Sequence, residues 1–172
     1  MAIVLTGCSS LQPLDFADSK TTFEPDKYFT GHVRSWGVME NRAGKPRSRF
    51  TTESVGKRDA NGDLMIEQTF YYDGGGTQKR TWSVHRIDAH HYEATANDVV
   101  GKARGEARGN AFRWEYTIAL KPGNPLANVR MQQWMFLPAG TETMFTRVIV
   151  KKFGIRIAQV TESFKRDSAE KP

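Results

Sequence analysis

Residues 112–120 have the sequence FRWEYTIAL, and this stretch decides the fold class. Apolar Phe, Trp, Tyr, Ile and Leu alternate with Arg, Glu, Thr and Ala, which is the two-residue period of a β-strand with one buried face. An amphipathic helix repeats its apolar residues every three or four positions instead. The stretch therefore predicts a strand that packs one face against a core.

Eight further stretches show a similar alternation and have the length of strands. They are residues 28–38, 48–56, 64–72, 79–87, 90–97, 129–137, 143–150 and 155–164. Turn sequences rich in Gly, Pro, Asn and Asp separate many of these stretches. Nine or ten short strands at regular spacing predict an antiparallel barrel or a sandwich. The sequence indicates at most a short helix at 23–29, with Thr22 as its cap and Pro25 in its first turn.

The composition narrows the class of protein. The chain has 172 residues, the size of one domain, and its single cysteine excludes an internal disulfide framework and multi-cysteine zinc sites. No run of about 18 apolar residues occurs, which excludes a transmembrane helix. The net charge is +6, but the longest purely basic runs are pairs of residues. This pattern is too sparse for a surface that tracks phosphates, so no nucleic-acid partner is predicted.

The first ten residues, MAIVLTGCSS, contain the pattern of a bacterial lipobox: a branched apolar residue, two small residues and then Cys8. Cys8 is the only cysteine, and polar Ser9 and Ser10 follow it. This pattern predicts acylation of Cys8 and anchoring of the chain at the periplasmic face of the outer membrane. Only seven residues precede Cys8, fewer than a signal peptide needs, so we expect the true start of that peptide to lie upstream. The alternative is a free, buried cysteine on a short apolar segment.

These observations divide the chain into four parts. Residues 1–8 are interpreted as the remainder of a signal peptide with its lipobox, and residues 9–26 as a polar tether with two prolines. Within the tether, Phe16 and Phe23 are candidates for docking onto the fold. Residues 27–166 form the predicted β-domain, and residues 167–172 are predicted to be a disordered tail.

The segment 98–111 has an unusual pattern. Every odd position from 101 to 111 is Gly or Ala, whereas the even positions from 102 to 108 are charged. As a strand, this segment has one face almost bare of side chains, and such a face usually has a packing or access reason. One interpretation is that bulky Trp or Phe side chains of facing strands fill the space. The other is that the bare face leaves room for a ligand.

Several stretches together resemble an uncharacterised family of Gram-negative lipoproteins, catalogued as domain of unknown function 3833. The resemblance extends from the lipobox to about Lys165. It rests on residues 5–9, 28–31, 36–37, 67, 70–74, 80–82, 98–101, 109–111, 114 and 116. The resemblance implies a lipocalin-like, calycin-type antiparallel barrel of about 8–10 strands that is anchored to the outer membrane. It also favours a lipid as ligand, and it supplies no catalytic residues.

Barrels of this kind bind small molecules in their mouths, so inward-facing residues are the candidate ligand contacts. Alternation places Arg80 and Trp82 on one face, and an inward Arg80 suits a lipid phosphate or carboxylate. The alternative is that Arg80 pairs with Glu67 or Asp98. Arg147 shares its phase with Phe145 and Ile149 and is the second candidate anchor. The candidate wall residues are Trp82, Trp114, Tyr116 and Trp134.

The sequence favours a binding protein for a lipid or another small hydrophobic molecule, and a non-enzyme. It contains no nucleophile motif and no metal-ligand spacing, so no catalytic residue, cofactor or metal is predicted. Two alternatives stay open. A structural lipoprotein with a filled barrel predicts no cavity and an exposed apolar patch or strand edge. An enzyme acting on a membrane-derived lipid predicts a buried polar cluster, for which Glu67, Arg80 and Asp98 are candidates.

Overall fold

The computed structural model describes residues 10–167, and the core of this part is one sheet of ten antiparallel strands. The strands are β1 (Gly31–Asn41), β2 (Pro46–Arg58), β3 (Leu64–Tyr72), β4 (Thr77–Arg86), β5 (His91–Ala96), β6 (Ala103–Arg108), β7 (Ala111–Ile118), β8 (Val129–Phe136), β9 (Thr143–Lys152) and β10 (Ile155–Arg166). One short helix, α1 (Pro25–Tyr28), and two 3-10 turns, Pro13–Phe16 and Pro125–Ala127, complete the secondary structure.

The sheet closes on itself, because each strand pairs with the next along the chain and β1 also pairs with β10. The lipocalin-like antiparallel barrel that the sequence predicts is therefore confirmed. The stretch that decides the fold class becomes β7, whose Phe112, Trp114, Tyr116 and Ile118 are buried. Closure pairs both edges of the sheet, so no strand edge is left open among residues 10–167.

The barrel has two different ends. We call the end at which β1 begins the closed end, because residues 10–30 pack against it. We call the opposite end the mouth; there the connections β1–β2, β3–β4, β5–β6, β7–β8 and β9–β10 lie.

The segment interpreted as a polar tether packs onto the barrel over its described part, residues 10–26. Phe23 is 1% exposed, and its ring contacts Tyr28 and Phe112 at centroid distances of 5.6 and 6.2 Å. The backbone N–H of Phe23 donates to the Gly109 carbonyl at 2.8 Å. Phe16 lies on the outer wall, against Trp134. Both phenylalanines, Phe16 and Phe23, therefore dock onto the barrel, as the sequence analysis considered.

Helix α1 forms the centre of the closed end. Pro25 occupies its first turn as expected, but its N-cap is Glu24 rather than Thr22 and no side chain caps it. The Tyr28 hydroxyl donates to the Glu142 carbonyl at 2.8 Å, which ties the helix to the start of β9. The fit is close: a Cβ on Gly56 would lie 1.7 Å from the Phe29 carbonyl oxygen. Only glycine leaves this backbone contact intact.

The bare face of the 98–111 segment has a packing reason. Residues 103–108 form β6, and a Cβ on Gly105 would lie 2.2 Å from the Trp114 ring and 2.3 Å from the Phe112 ring. Large aromatic side chains of β7 thus fill the space, which was the first of the two interpretations. The absence of a side chain at Gly105 lets these rings approach the β6 backbone closely.

Candidate ligand-binding cavity

A cavity of about 210 Å³ lies inside the barrel. It extends from Phe29 of the closed end to Met39, Ser48 and Tyr72 near the mouth. Most of its lining is aliphatic or aromatic, with Arg80 and Glu162 as the charged exceptions among the described residues. The cavity is therefore apolar with a few polar groups, which is the usual character of a small-molecule site.

An aromatic cluster on β4 and β7 forms one wall of the cavity. The Trp82 ring contacts Trp114 and Tyr116 edge-on, with centroid distances of 5.9 and 5.3 Å, and Phe112 lies 5.0 Å from Trp114. Edge-to-face contacts of this kind add to the stabilisation from burial and fix the ring orientations. Three predicted wall residues, Trp82, Trp114 and Tyr116, thus lie on the cavity wall.

Arg80 also lines the cavity, but its charge is already paired. Its Nε lies 2.8 Å from Asp98 Oδ1 and its Nη2 lies 2.6 Å from Asp98 Oδ2. The guanidinium lies 5.4 Å from the Phe70 ring centroid and 5.6 Å from that of Trp82. Burial lowers the pKa of Arg80, but the hydrogen bond and charge of Asp98 outweigh burial and raise it. The pairing with Asp98 was one of the two interpretations of Arg80.

The cluster of Glu67, Arg80 and Asp98 considered from the sequence forms only in part, because Arg80 and Asp98 pair without Glu67. Glu67 is exposed on the outer face of β3, away from Arg80 and Asp98. The acid that faces the cavity is Glu162 of β10, which is 7% exposed. Its Oε1 accepts a hydrogen bond from the Ser35 hydroxyl at 2.6 Å, between the two strands that close the barrel. Sequence reasoning missed Glu162, although it stands in phase with the apolar residues Val160 and Phe164.

Further polar groups lie on the cavity lining or in the sheet near Glu162, and we call them together the polar patch. Gln133 lines the cavity and accepts a hydrogen bond from the Tyr116 hydroxyl at 3.1 Å. Thr52 is the sheet partner of Ser35, and Thr146 is the sheet partner of Glu162. The hydroxyls of Thr52 and Thr146 are buried. That of Thr52 lies beside the Glu162 carboxyl and lowers its pKa, whereas that of Thr146 has no hydrogen-bond partner within residues 10–167. Buried polar groups normally have partners, so the Thr146 hydroxyl needs an explanation.

Burial raises the pKa of Glu162 from its ordinary 4.5 to about 7, against the opposing effects of the Ser35 hydrogen bond and the Arg80 charge. The folded protein therefore holds a proton that the unfolded chain releases between pH 4.5 and about 7. The contribution of Glu162 to the free energy of unfolding is therefore fully present below pH 4.5 and is lost as the pH rises through about 7.

We expect Glu162→Gln to remove the fall in stability that the wild type shows between pH 4.5 and about 7. The variant should match the wild type near pH 4.5 and exceed its free energy of unfolding by about 3 kcal/mol at pH 8. Urea denaturation of both proteins across pH 4.5–8.5 measures the difference. A constant difference over that range would contradict a raised pKa at Glu162.

Two of the predicted site residues, Arg147 and Trp134, lie on the outer face of the barrel, so the structure does not bring them to the cavity. In β9 the inward residues are Met144, Thr146, Val148 and Val150, so Arg147 is exposed. Both phases of this strand carry large apolar residues, which is why alternation alone chose the wrong face. In β8 the inward residues include Met131 and Gln133, so Trp134 points outward; its burial comes from Phe16 of the N-terminal segment.

The rim of the mouth combines apolar and basic side chains. Leu120 and Leu126 of the β7–β8 connection are 60% and 70% exposed, and Phe153 at the β9–β10 turn is 76% exposed. Exposed basic residues lie on the same rim: Arg42, Lys45, Arg47, Lys102, Lys121 and Arg156. The entrance of the cavity is therefore surrounded mainly by basic side chains, with exposed apolar side chains among them.

Cys8, the predicted acylation site, lies outside the described residues. Within residues 10–167, no group of three His, Cys, Asp or Glu side chains is placed to hold a metal ion. None of the helices in this part of the chain has the length and hydropathy needed to cross a membrane.

Comparison with known proteins gives a family and a fold. The model of the family described as "Protein of unknown function (DUF3833)" matches residues 2–166. No curated protein matches the sequence. The barrel is similar to an S-type phycobiliprotein lyase from Guillardia theta, with a TM-score of 0.63 and 7% identity over 84% of this chain and 92% of that one.

A second similar structure is a protein of unknown function from the DUF3598 family of Nostoc punctiforme PCC 73102. It aligns with a TM-score of 0.62 and 14% identity over 86% of this chain. The chain spans about half of that protein, since 51% of it is covered. At these identities both likenesses concern the fold.

Proposed function

This chain belongs to the DUF3833 family of proteins of unknown function, and we propose that it is a binding protein that holds a lipid or another small hydrophobic molecule inside its barrel. The cavity carries the proposal. It is enclosed by a closed sheet, lined mainly by apolar side chains, and extends to residues near the mouth. Burial of an apolar ligand against this lining supplies the binding free energy.

The volume limits the size of the occupant. A cavity of about 210 Å³ lies between the roughly 150 Å³ that accommodates benzene and the roughly 300–1,000 Å³ of sites for drug-sized ligands. The ligand is therefore a small hydrophobic molecule, or the terminal part of a longer acyl chain whose remainder leaves through the mouth.

The cavity also separates this proposal from the filled-barrel alternative. A filled barrel predicts a solid interior and an open strand edge or apolar patch as its working surface. The interior is hollow, and no strand edge is open among the described residues. The similarity to the phycobiliprotein lyase concerns the barrel fold, and at 7% identity it indicates no activity for this chain.

We place the protein at the periplasmic face of the outer membrane, attached through an acylated Cys8. The support is the sequence LTGC at residues 5–8 with serine behind the cysteine. Two or more acyl chains give stable anchoring to a bilayer. Incorporation of a labelled fatty acid into the wild-type chain, compared with a Cys8→Ala variant, tests this part of the proposal.

The binding proposal is tested with N-phenyl-1-naphthylamine, a neutral probe that fluoresces in apolar surroundings. We expect saturable binding to the wild-type chain, and binding at least ten-fold weaker in Val160→Phe. Val160 lines the cavity, so a phenyl ring there occupies ligand space. Native mass spectrometry and organic extraction of the purified protein then identify any natural ligand.

Thr161→Phe is the matched control, because the next residue of β10 is exposed on the outer face. It should leave probe affinity within two-fold of the wild type. Equal loss of affinity in both variants, or no saturable binding to the wild type, would overturn the proposal.

A further inference from the structure

The charges on the cavity lining narrow the class of ligand that the cavity can hold. This inference rests on the proposed function. We infer that the cavity selects an amphipathic molecule whose head group donates hydrogen bonds, with a protonated primary amine as the best match, and that it discriminates against carboxylates. The polar patch around Glu162 binds the head group, while the aromatic wall of β4 and β7 binds the apolar body.

Arg80 does not serve as an anchor for an anion. Its Nε and Nη2 are bound to both oxygens of Asp98, and the two charges cancel. The Arg80 and Asp98 side chains are 10% and 15% exposed, so water hardly competes with the pair. Among the described residues that line the cavity, no other side chain is basic. A carboxylate or phosphate that has passed the basic rim of the mouth therefore meets no free positive charge inside the cavity.

Glu162, by contrast, offers an acceptor to the cavity. The Ser35 hydroxyl donates to Oε1 of its carboxyl at 2.6 Å, and the neighbouring Thr52 hydroxyl also lowers the pKa of this carboxyl. Glu162 lines the cavity, and a carboxylate has about four lone-pair sites, so acceptor capacity remains for a ligand. A buried carboxylate gains most from a donor that carries a positive charge. A ligand amine supplies both the charge and up to three donors.

The groups that face Glu162 across the cavity do not neutralise it. They are Arg80 of β4, which is paired with Asp98, and the phenols of Tyr72 in β3 and Tyr116 in β7. Burial raises the pKa of Tyr72, and that of Tyr116 to about 12, so both phenols stay neutral at physiological pH. Ionised Glu162 thus leaves one uncompensated negative charge, which a single cationic head group balances.

The buried hydroxyls beside Glu162 fit the same assignment. Thr52 neighbours the Glu162 carboxyl and lowers its pKa, and Thr146, the sheet partner of Glu162, has no hydrogen-bond partner within residues 10–167. A hydroxyl can donate or accept, so these groups can complete the shell of a bound donor head group directly or through water.

The test uses octylamine, octanol and octanoate, three ligands with the same apolar body, as competitors of N-phenyl-1-naphthylamine on the full chain. At pH 8 Glu162 and octanoate are ionised and octylamine is protonated. We expect octylamine to bind at least ten-fold more tightly than octanoate, with octanol between them. At pH 5, where Glu162 is protonated, the preference for octylamine over octanol, which does not titrate, should fall at least three-fold.

Glu162→Gln keeps the shape of the side chain and removes its charge. At pH 8 this variant should lose the preference for octylamine. Thr161→Gln, at the exposed neighbouring position of β10, is the control and should keep both that preference and the probe affinity of the wild type. Gln68→Glu, which adds a carboxyl elsewhere on the cavity lining, should strengthen the preference.

The outcomes separate the inference from the proposed function. If the probe binds but octanoate binds as tightly as octylamine, or more tightly, the head-group assignment is overturned and the binding proposal stands. The same holds if Glu162→Gln keeps the preference. If neither the probe nor any of the three ligands binds, the proposed function fails and the inference fails with it.

Discussion

Replacing Asp98 with asparagine is expected to lower the free energy of unfolding by about 3–5 kcal/mol. The substitution removes the carboxylate that pairs with the Arg80 guanidinium and leaves that cation buried on the cavity wall, since Arg80 is 9% exposed. An amide oxygen accepts a hydrogen bond but does not balance the charge. Urea denaturation at pH 7 measures the loss.

Asp73→Asn is the control for this prediction. Asp73 is an exposed residue of the neighbouring β3–β4 connection, and its substitution should change stability by less than about 0.5 kcal/mol. The double variant Arg80→Met with Asp98→Asn should recover most of the loss, because it removes the buried cation together with its partner. A loss in Asp98→Asn no greater than in Asp73→Asn would show that the Arg80 charge finds compensation elsewhere.

Replacing Phe23 with alanine is expected to lower the free energy of unfolding by about 3–5 kcal/mol. Phe23 is 1% exposed and packs between Tyr28 and Phe112, so its removal leaves a void at the closed end. The N-terminal segment loses its main apolar contact as well. Chemical denaturation measures the stability, and limited proteolysis measures the release of the segment.

Phe153→Ala removes the same ring from a position that is 76% exposed at the mouth. This control should change stability by less than about 1 kcal/mol. Equal stability of Phe23→Ala and Phe153→Ala would mean that the closed end does not depend on the N-terminal segment.

The strands were predictable because their pattern is local. The alternation in β7 and the turn residues between strands need only near neighbours in sequence, and so they indicate a closed antiparallel sheet. Which face of each strand points into the barrel was harder to predict from the sequence. In β9 both Phe145 and Val148 are apolar, so only the register with its neighbours decides that Arg147 points outward.

The candidate site was predictable in part for a similar reason. Trp82, Trp114 and Tyr116 stand in clearly alternating strands, and they do line the cavity. Glu162 was missed because a single acid between apolar residues is usually exposed, and its burial depends on β1, which lies far away in sequence. Trp134 was misplaced because the side chain that covers it, Phe16, belongs to a segment with no regular pattern.

The packing of residues 10–16 near the β6–β7 turn sets the orientation of the proposed lipoprotein. Phe16 lies against Trp134 and Phe136, and a Cβ on Gly109 would lie 1.9 Å from the Phe16 carbonyl oxygen, so this segment sits at the closed end. Under the proposed lipidation the anchor is connected to the barrel through this segment, so the proposed membrane attachment leaves the mouth facing the aqueous side. On the proposed function, cargo then enters and leaves on that side, and handover to a soluble or opposing acceptor needs no detachment of the protein.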